Sequence, residues 1–189
     1  RPTECFTNDR ASILGFTILR QDLHDHANKF GVARDPPMAE CVTRLLDKPP
    51  QDHRSAVVVF GYFASRISEL DERNLTRLRP APIIPVPRSS TKEKGDSLSY
   101  IQPTRAYLGS STTYGPIFDF VDFGQDANAF LFKCGAKSEP TKKEVAEMAC
   151  SEPARLLSAL ESSEKYLNLL KSLAEASHEL HRDKELWRR

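Results

Sequence analysis

Several features that mark membrane proteins and nucleotide-binding enzymes are missing from this sequence of 189 residues. No apolar run approaches the ~18 residues that a membrane-spanning helix needs, and the first residues contain no signal-peptide core. The nucleotide-binding patterns G-x-x-x-x-G-K-[ST] and G-x-G-x-x-G do not occur. We therefore expect no membrane partner and no bound nucleotide, and we expect an intracellular location, cytoplasmic or nuclear.

The chain also has little net charge and no closely paired cysteines. Its 27 Lys and Arg residues nearly balance its 26 Asp and Glu residues, so the formal net charge is +1. That charge creates no long-range field to attract nucleic acid, and no nucleic-acid partner is expected. Since the four cysteines form no C-x-x-C pair, buried thiols in a reducing compartment are favoured over disulfides.

The residue types used in catalysis and metal binding form no matching pattern. His24 and His26 would point about 200° apart on a helix, so they cannot share a metal ion. His178 and His181 can share a helix face, but they do not form H-E-x-x-H and have no third ligand nearby in sequence. A cysteine nucleophile would need an activating base that the fold brings to it. We predict no catalytic residue, no metal site, no cofactor and no enzyme activity for this chain.

What the sequence does contain is a repeated joint between helices. Each copy has a lysine and then a glycine at a helix end, because a cation favours the carbonyl end and glycine adopts the left-handed conformation freely. A proline follows and favours an extended link. Gly31, Pro36, Gly135 and Pro140 are therefore predicted to form two structural hinges, with positive φ at both glycines. The matches at one constant offset are Lys29/Lys133, Gly31/Gly135, Asp35/Glu139, Pro36/Pro140, Glu40/Glu144 and Pro49/Pro153.

Apolar spacing predicts helices on both sides of each joint. The first helix is expected from Asn8 or Asp9 to Phe30, with one apolar stripe along it, and a short helix should begin near Pro37. Residues 52–71 include the β-branched run Val57–Val59, which also fits a buried strand. Helical spacing continues well beyond that run, so a helix is favoured. After the second joint, Thr141 and Glu144 form a capping box, and two further helices are predicted to start at Pro153 and at Ser162-Ser163.

Between the two helical regions lies a proline-rich insert, residues 80–124. Ile83–Val86 is predicted as a short edge strand or extended segment. Residues 89–97 have nothing to bury and are predicted to be a mobile surface loop. Phe118, Phe120 and Phe123 are predicted to be either a half-buried edge or a possible patch for a protein partner.

The fold predicted from these elements is mainly α, with a minor β or extended insert. It has two related helical units, 1–79 and 125–189, each consisting of a helix, a Gly-Pro link, a short helix and a long helix. A single compact domain is the alternative.

The motifs resemble those of large fungal proteins related to sacsin and to the plant NO VEIN protein. The resemblance rests on several runs spread over most of the chain: Ala27–Met38, Phe63–Arg66, Ala81–Val86, Phe120–Gly124, Phe130-Leu131, Cys134-Gly135 and Glu139-Pro140. Such proteins carry a heat-shock-protein-90-type ATPase domain near one end and long further regions after it. This chain lacks the ATP-binding signatures of that superfamily, an Asn-bearing helix and an Asp-x-Gly-x-Gly turn, so no nucleotide-contacting residue is carried over.

The resemblance implies a non-catalytic scaffolding or protein-interaction segment of a large intracellular, chaperone-type, ATPase-related protein. Its partners would be other segments of the same protein and protein clients. The alternative is a regulatory domain that completes or modulates an ATPase site elsewhere in the parent, with Arg88, Lys92 or Lys94 of the loop offered to phosphate.

Overall fold

The computed structural model describes residues 4–86, 99–110, 114–115, 117–160 and 162–178, and within them the fold is mainly α, as predicted. The α-helices are α1 (Met38–Asp47), α2 (His53–Ser65), α3 (Glu72–Leu78), α4 (Gln125–Lys133), α5 (Lys142–Ser151), α6 (Pro153–Leu160) and α7 (Ser163–Glu175). Shorter 3₁₀ segments cover Asp9–Leu14, Gln21–Phe30, Ile67–Glu69 and Pro103–Arg105. The strands are β1 (Cys5–Phe6), β2 (Thr17–Ile18), β3 (Ile84–Val86), β4 (Ser99–Ile101), β5 (Tyr107–Leu108) and β6 (Phe120–Val121). No helix in these ranges is long and apolar enough to cross a membrane.

The chain divides into two compact units. Unit 1 consists of residues 1–105 with 122–136, and unit 2 consists of residues 106–121 with 137–189. The division differs from the boundaries predicted at 79/80 and 124/125. The difference arises because α4, which the sequence assigns to the second helical region, packs against α2 within unit 1.

Unit 1 is organised around α2. Phe60 and Phe63 are fully buried on it, and the Phe130 ring of α4 stacks on Phe63 with 5.0 Å between ring centroids. Complete burial of such a side chain contributes about 1.5–3 kcal/mol. The helix starts at a capping box, in which Asp52 accepts the Ser55 amide and the Ser55 hydroxyl accepts the Asp52 amide. The strand that the valine run also permitted is therefore absent at this place.

The single helix predicted from residue 9 to Phe30 is wrong. Gly15, with φ of 75°, ends the first 3₁₀ segment, and β2 then pairs in parallel with β1 before the second 3₁₀ segment begins. The Arg44 guanidinium lies 3.6 Å from the Phe16 ring centroid, which ties this turn to α1. Phe30, expected on the buried stripe, is 62% exposed.

The proline-rich insert contains one antiparallel pair in unit 1. β3 pairs with β4, in the register Ile84 with Ile101 and Val86 with Ser99. The prediction of a short extended segment at Ile83–Val86 is therefore confirmed. The loop predicted at 89–97, together with Arg88, lies outside the described residues.

Unit 2 combines a parallel strand pair, β5 with β6, and the helices α5, α6 and α7. Its core contains Ile117 and Val145 together with three leucines of α6 and α7: Leu156, Leu160 and Leu169. The helix starts predicted at Thr141, Pro153 and Ser162-Ser163 are all confirmed, the first by a complete capping box between Thr141 and Glu144.

The repeat extends beyond the joints into the strands. In unit 1, the Thr7 amide, directly after β1, donates to the Ala33 carbonyl of the first joint at 3.2 Å. In unit 2, the Leu108 amide of β5 donates to the Lys137 carbonyl of the second joint at 2.7 Å. Each joint is thus hydrogen-bonded at or next to the first strand of a parallel pair that precedes it in the chain.

Candidate functional site

Both predicted hinges end their helices in the same way. Gly31 has φ of 68° and Gly135 has φ of 105°, so both glycines have the positive φ that the sequence predicts. The amide after each glycine reaches back five residues, from Val32 to Ala27 at 3.0 Å and from Ala136 to Leu131 at 3.0 Å. This bond, with the glycine amide bonded three residues back, is the Schellman pattern of helix termination. The two joints are therefore alike at the glycine.

Beyond Gly31, a buried arginine fixes the first joint. Arg66 is only 7% exposed, and its Nη2 atom donates to the Pro36 carbonyl at 2.9 Å. Its Nη1 atom contacts the Tyr62 hydroxyl at 2.7 Å and the Cys41 sulfur at 3.6 Å. Nε and Nη2 donate to the two carboxylate oxygens of Glu69. All five guanidinium donors are thereby used, and the joint is bound to α1, α2 and the 3₁₀ turn after α2.

The same network makes its cysteine and tyrosine poor nucleophiles. Burial raises the pKa of the Cys41 thiol, although Tyr62 and Arg66 act in the opposite direction. Burial also raises the pKa of Tyr62. Hydrogen bonds from Arg66 lower the pKa of Glu69, so this carboxylate stays ionised beside the guanidinium. The network thus consists of a neutral thiol, a neutral phenol and one ion pair, an arrangement that holds structure together.

Beyond Gly135, the second joint is fixed differently. A Cβ atom on Gly135 would lie 3.2 Å from the Thr104 methyl group, a tight contact that a shift of a few tenths of an ångström would relieve, whereas φ of 105° itself favours glycine. Lys137 pairs with the Glu144 carboxylate, which also receives the Thr141 amide in the capping box. Pro140 is half-buried. The two joints therefore share their helix end and differ in the contacts that follow.

The three predicted aromatic residues do not form one surface. Phe123 is 4% exposed and packs in unit 1 against Phe60 and the His53 ring, with centroids 5.4 Å and 4.9 Å away. Phe118 and Phe120 are half-buried in unit 2, and both contact Tyr107. Phe118 and Phe120 are therefore partly exposed residues of unit 2, whereas Phe123 is a core residue of unit 1.

A groove on unit 1 exposes aliphatic side chains that the sequence patterns described above do not predict. Two adjoining depressions, with cavity volumes of about 370 Å³ and 330 Å³, share Ile13 and Val58 in their lining. Ile13 is 37% exposed and Val58 is 50% exposed. The depressions extend along the outer side of α2, between the 3₁₀ segment Asp9–Leu14 and the N-terminal end of α4. We call this surface the α2 groove, and its size is within the range of ligand clefts.

Among the described residues, four charged side chains line the α2 groove: Arg10, Asp52, Arg54 and Asp126. Asp52 caps α2, and hydrogen bonds from Ser55 lower its pKa. Asp126 lies in the first turn of α4, where a negative charge matches the helix dipole. Neither arginine is paired with a carboxylate in the part of the chain that the structure describes.

A sequence signal for the groove did exist. Val57, Val58 and Val59 are consecutive, and three consecutive residues of an α-helix cannot all face one core. Val59 is buried, Val57 is partly buried and Val58 points outward. Gly61 in the same helix is a second signal, since glycine lowers helix stability.

Other candidate chemical groups are buried or dispersed. Burial raises the pKa of Cys134 to about 12, and this thiol is fully buried. The His24 ring contacts the Leu19 carbonyl at 2.9 Å, and the His53 ring contacts the Asp122 carbonyl at 2.8 Å. Within the described ranges, no three His, Cys, Asp or Glu side chains are grouped so that they could hold a metal ion. His181 lies outside those ranges.

Comparison with known proteins adds one finding. A family model with the description "Protein of unknown function (DUF3684)" matches residues 1–189. No curated protein matches the chain. No solved structure matches it either.

Proposed function

We propose that this chain, which belongs to the DUF3684 family over its whole length, is a non-catalytic protein-interaction segment. In this proposal it scaffolds a large intracellular, chaperone-type, ATPase-related protein. Its partners are other segments of that protein, and protein clients are a further class. The observation that carries the proposal is the α2 groove, with Ile13 and Val58 exposed in its lining.

Exposed aliphatic side chains in a concave surface favour an apolar partner. Removing apolar area from water contributes about 25 cal/mol per Å². Binding in a groove buries more apolar area than binding on a flat surface, because the walls of the groove surround the side chains of the partner. The helices around the groove are anchored by the Phe60, Phe63 and Phe130 cluster, so the surface is built on a packed core.

The buried chemistry also supports an interaction role. Cys41 and Cys134 are both fully buried with raised pKa values, which opposes the thiolate that a nucleophile needs. The two glycine joints serve as helix ends, and one of them is bound by Arg66.

The test uses the parent protein in two pieces, the 189-residue chain and the remaining polypeptide expressed without it. We expect the two pieces to bind each other in a pull-down, and we expect Val58→Glu to weaken that binding at least tenfold. The control is Phe132→Glu, because Phe132 is also an exposed apolar residue of unit 1, at 63%, and lies outside the groove lining. If the pieces bind equally with Val58→Glu and without it, the groove does not carry the interaction.

The regulatory alternative makes a different prediction about the parent. Deletion of residues 88–97 would then change ATP turnover by the full-length protein. Under the interaction proposal, turnover is unchanged by that deletion.

A further inference from the structure

Gly61 lies in the middle of α2 without an internal reason to be glycine. A Cβ atom added there would meet nothing within 4 Å in the chain itself, and its φ is not in the positive range. Glycine at a helix interior costs about 1 kcal/mol relative to alanine. Neither backbone conformation nor packing within unit 1 offsets that cost. A glycine with open space above it permits close approach of another backbone.

Gly61 is aligned with the exposed groove residues of α2. Arg54, Val58 and Gly61 are spaced by four and then three residues, so they lie on one face of the helix. All three line the α2 groove. From Asp52 to Tyr62 the groove follows α2 for about 15 Å, at 1.5 Å per residue. That length matches about ten residues of a second helix.

The walls of the groove favour a helix over a strand as the occupant. The lining residues come from α2, from the 3₁₀ segment Asp9–Leu14 and from residues 123–127 at the start of α4. None of the strands β1–β6 contributes to this lining, so an extended peptide would find no sheet edge to pair with there. An amphipathic helix pairs its own backbone groups and needs only an apolar groove. Helices approach most closely where the contact residues are small.

The charged residues in the lining indicate which charge the side chains of the partner should carry. Asp52 and Asp126 each lie at the N-terminal end of their own helix, which compensates their charge. Arg54 interacts electrostatically with Asp52, but neither Arg54 nor Arg10 is within ion-pair distance of a carboxylate among the described residues. Acidic side chains beside the apolar stripe of the partner would complement these two guanidinium groups.

We propose that the α2 groove binds an amphipathic α-helix of about ten residues, with a small residue over Gly61 and acidic side chains toward Arg10 and Arg54. This inference rests on the proposed interaction function and specifies the chemistry of the partner. A basic helix and a second copy of this chain are the other occupants that the test distinguishes.

The probe is a yeast-displayed library of fourteen-residue peptides on an alanine-rich helical scaffold. Positions on one stripe vary among Gly, Ala, Ser, Val and Leu, and flanking positions vary among Glu, Lys and Gln. The library is selected with the labelled 189-residue chain. We expect enrichment of peptides with a small residue in the stripe centre and glutamates beside it.

Selected peptides are then tested against variants of the chain. Gly61→Leu fills the space over α2 and should weaken binding at least tenfold, while Ala154→Leu, which adds the same side chain at an exposed position of α6, should not. The double variant Arg10→Glu/Arg54→Glu should reverse the preference from glutamate to lysine. Its control is the double variant Arg73→Glu/Arg105→Glu, which changes the net charge by the same amount at positions outside the groove lining and should leave the preference for glutamate unchanged. Circular dichroism confirms that every variant is folded.

Four outcomes would overturn this inference. The first three are no enriched helix, enrichment of lysine-flanked helices, and binding that survives Gly61→Leu. The fourth is that the chain forms a dimer which Gly61→Leu abolishes, because the groove would then bind a second copy. None of these results removes the proposed function, which depends on rebinding of the parent pieces and its loss with Val58→Glu.

Discussion

Arg66 and Pro36 are 30 residues apart in the chain, and the arginine Nη2 atom donates a 2.9 Å hydrogen bond to the proline carbonyl oxygen. This bond connects the second helix after the joint to the joint itself. Pro36 is buried, so its carbonyl oxygen has little access to water. The angle at which the chain leaves Gly31 therefore depends on a side chain that the local sequence of the joint does not contain.

Loss of this arginine should destabilise the chain. Arg66→Met leaves the Pro36 carbonyl and the Tyr62 hydroxyl without their donor, and each lost partner of a buried group costs about 1–3 kcal/mol. We expect the free energy of unfolding in urea to fall by about 3 kcal/mol. Arg155→Met is the matched control, because Arg155 also pairs with a glutamate three residues away but is 54% exposed. A change below about 0.5 kcal/mol is expected for the control. Equal effects of the two substitutions would contradict the role of the buried bonds.

Two glycines should respond to alanine with opposite signs. Gly61→Ala removes a helix-interior glycine and puts a methyl group in open space, so stability should rise by about 0.5–1 kcal/mol. Gly135→Ala forces a side chain into φ of 105° and against Thr104, so stability should fall by about 1–3 kcal/mol. Thermal and urea unfolding measure both. A stabilising Gly135→Ala would show that the second joint does not need its glycine.

Glu144 should make unit 2 sensitive to acid. Burial raises the pKa of this carboxyl, but hydrogen bonds from Lys137 and Thr141 outweigh burial and leave the pKa lowered. A lowered folded-state pKa means that the ionised form stabilises the fold above the unfolded-state value of about 4.3, and that this contribution is lost as the pH falls further. Glu144→Gln should therefore be less stable than the wild type at neutral pH, with the difference shrinking toward pH 3.

The measurement is urea unfolding of the wild type and of Glu144→Gln at several pH values, followed by far-UV circular dichroism. Glu175→Gln, an exposed position at the end of α7, is the control. A stability difference that stays constant down to pH 3 would rule out the ionised carboxylate as the source.

The four cysteines should differ in their reaction with iodoacetamide. The structure describes all four, and none of them forms a disulfide; Cys150 is exposed, Cys5 is partly exposed, and Cys41 and Cys134 are buried. Since burial also raises the pKa of Cys41 and Cys134, the native chain should be alkylated at Cys150 first, and at Cys41 and Cys134 only after unfolding. Peptide mass spectrometry of native and urea-unfolded samples measures the extent of alkylation at each cysteine. Rapid alkylation of native Cys134 would show that its surroundings open.

The features that the sequence predicts correctly are mostly local ones. A lysine before a glycine ends a helix, and Thr141 with Glu144 starts one, because the bonds involved join residues only a few positions apart. The Pro-flanked segment at Ile84 is extended for a similar reason, since proline excludes helical geometry in the residue before it.

The features that it misses depend on distant partners. Leu23 and Phe30 have helical spacing, yet the chain between Gly15 and Gln21 leaves the helix to pair β2 with β1. The α2 groove is hidden for the same reason, because the exposed side of α2 is determined by where α4 packs. The sequence around Arg66 does not indicate that this arginine is buried, because the fold alone places Pro36, Tyr62 and Cys41 around it.

The assignment of α4 to unit 1 has a consequence for biosynthesis. A ribosome releases α2 long before α4, and residues 106–121, which belong to unit 2, emerge between them. On the nascent chain, Phe60 and Phe63 therefore lack their contacts with the Phe130 ring until α4 has been synthesised. Unit 1 therefore cannot complete its core during translation until β5 and β6 of unit 2 have already been synthesised, although its last residues still emerge before residues 137–189 of unit 2.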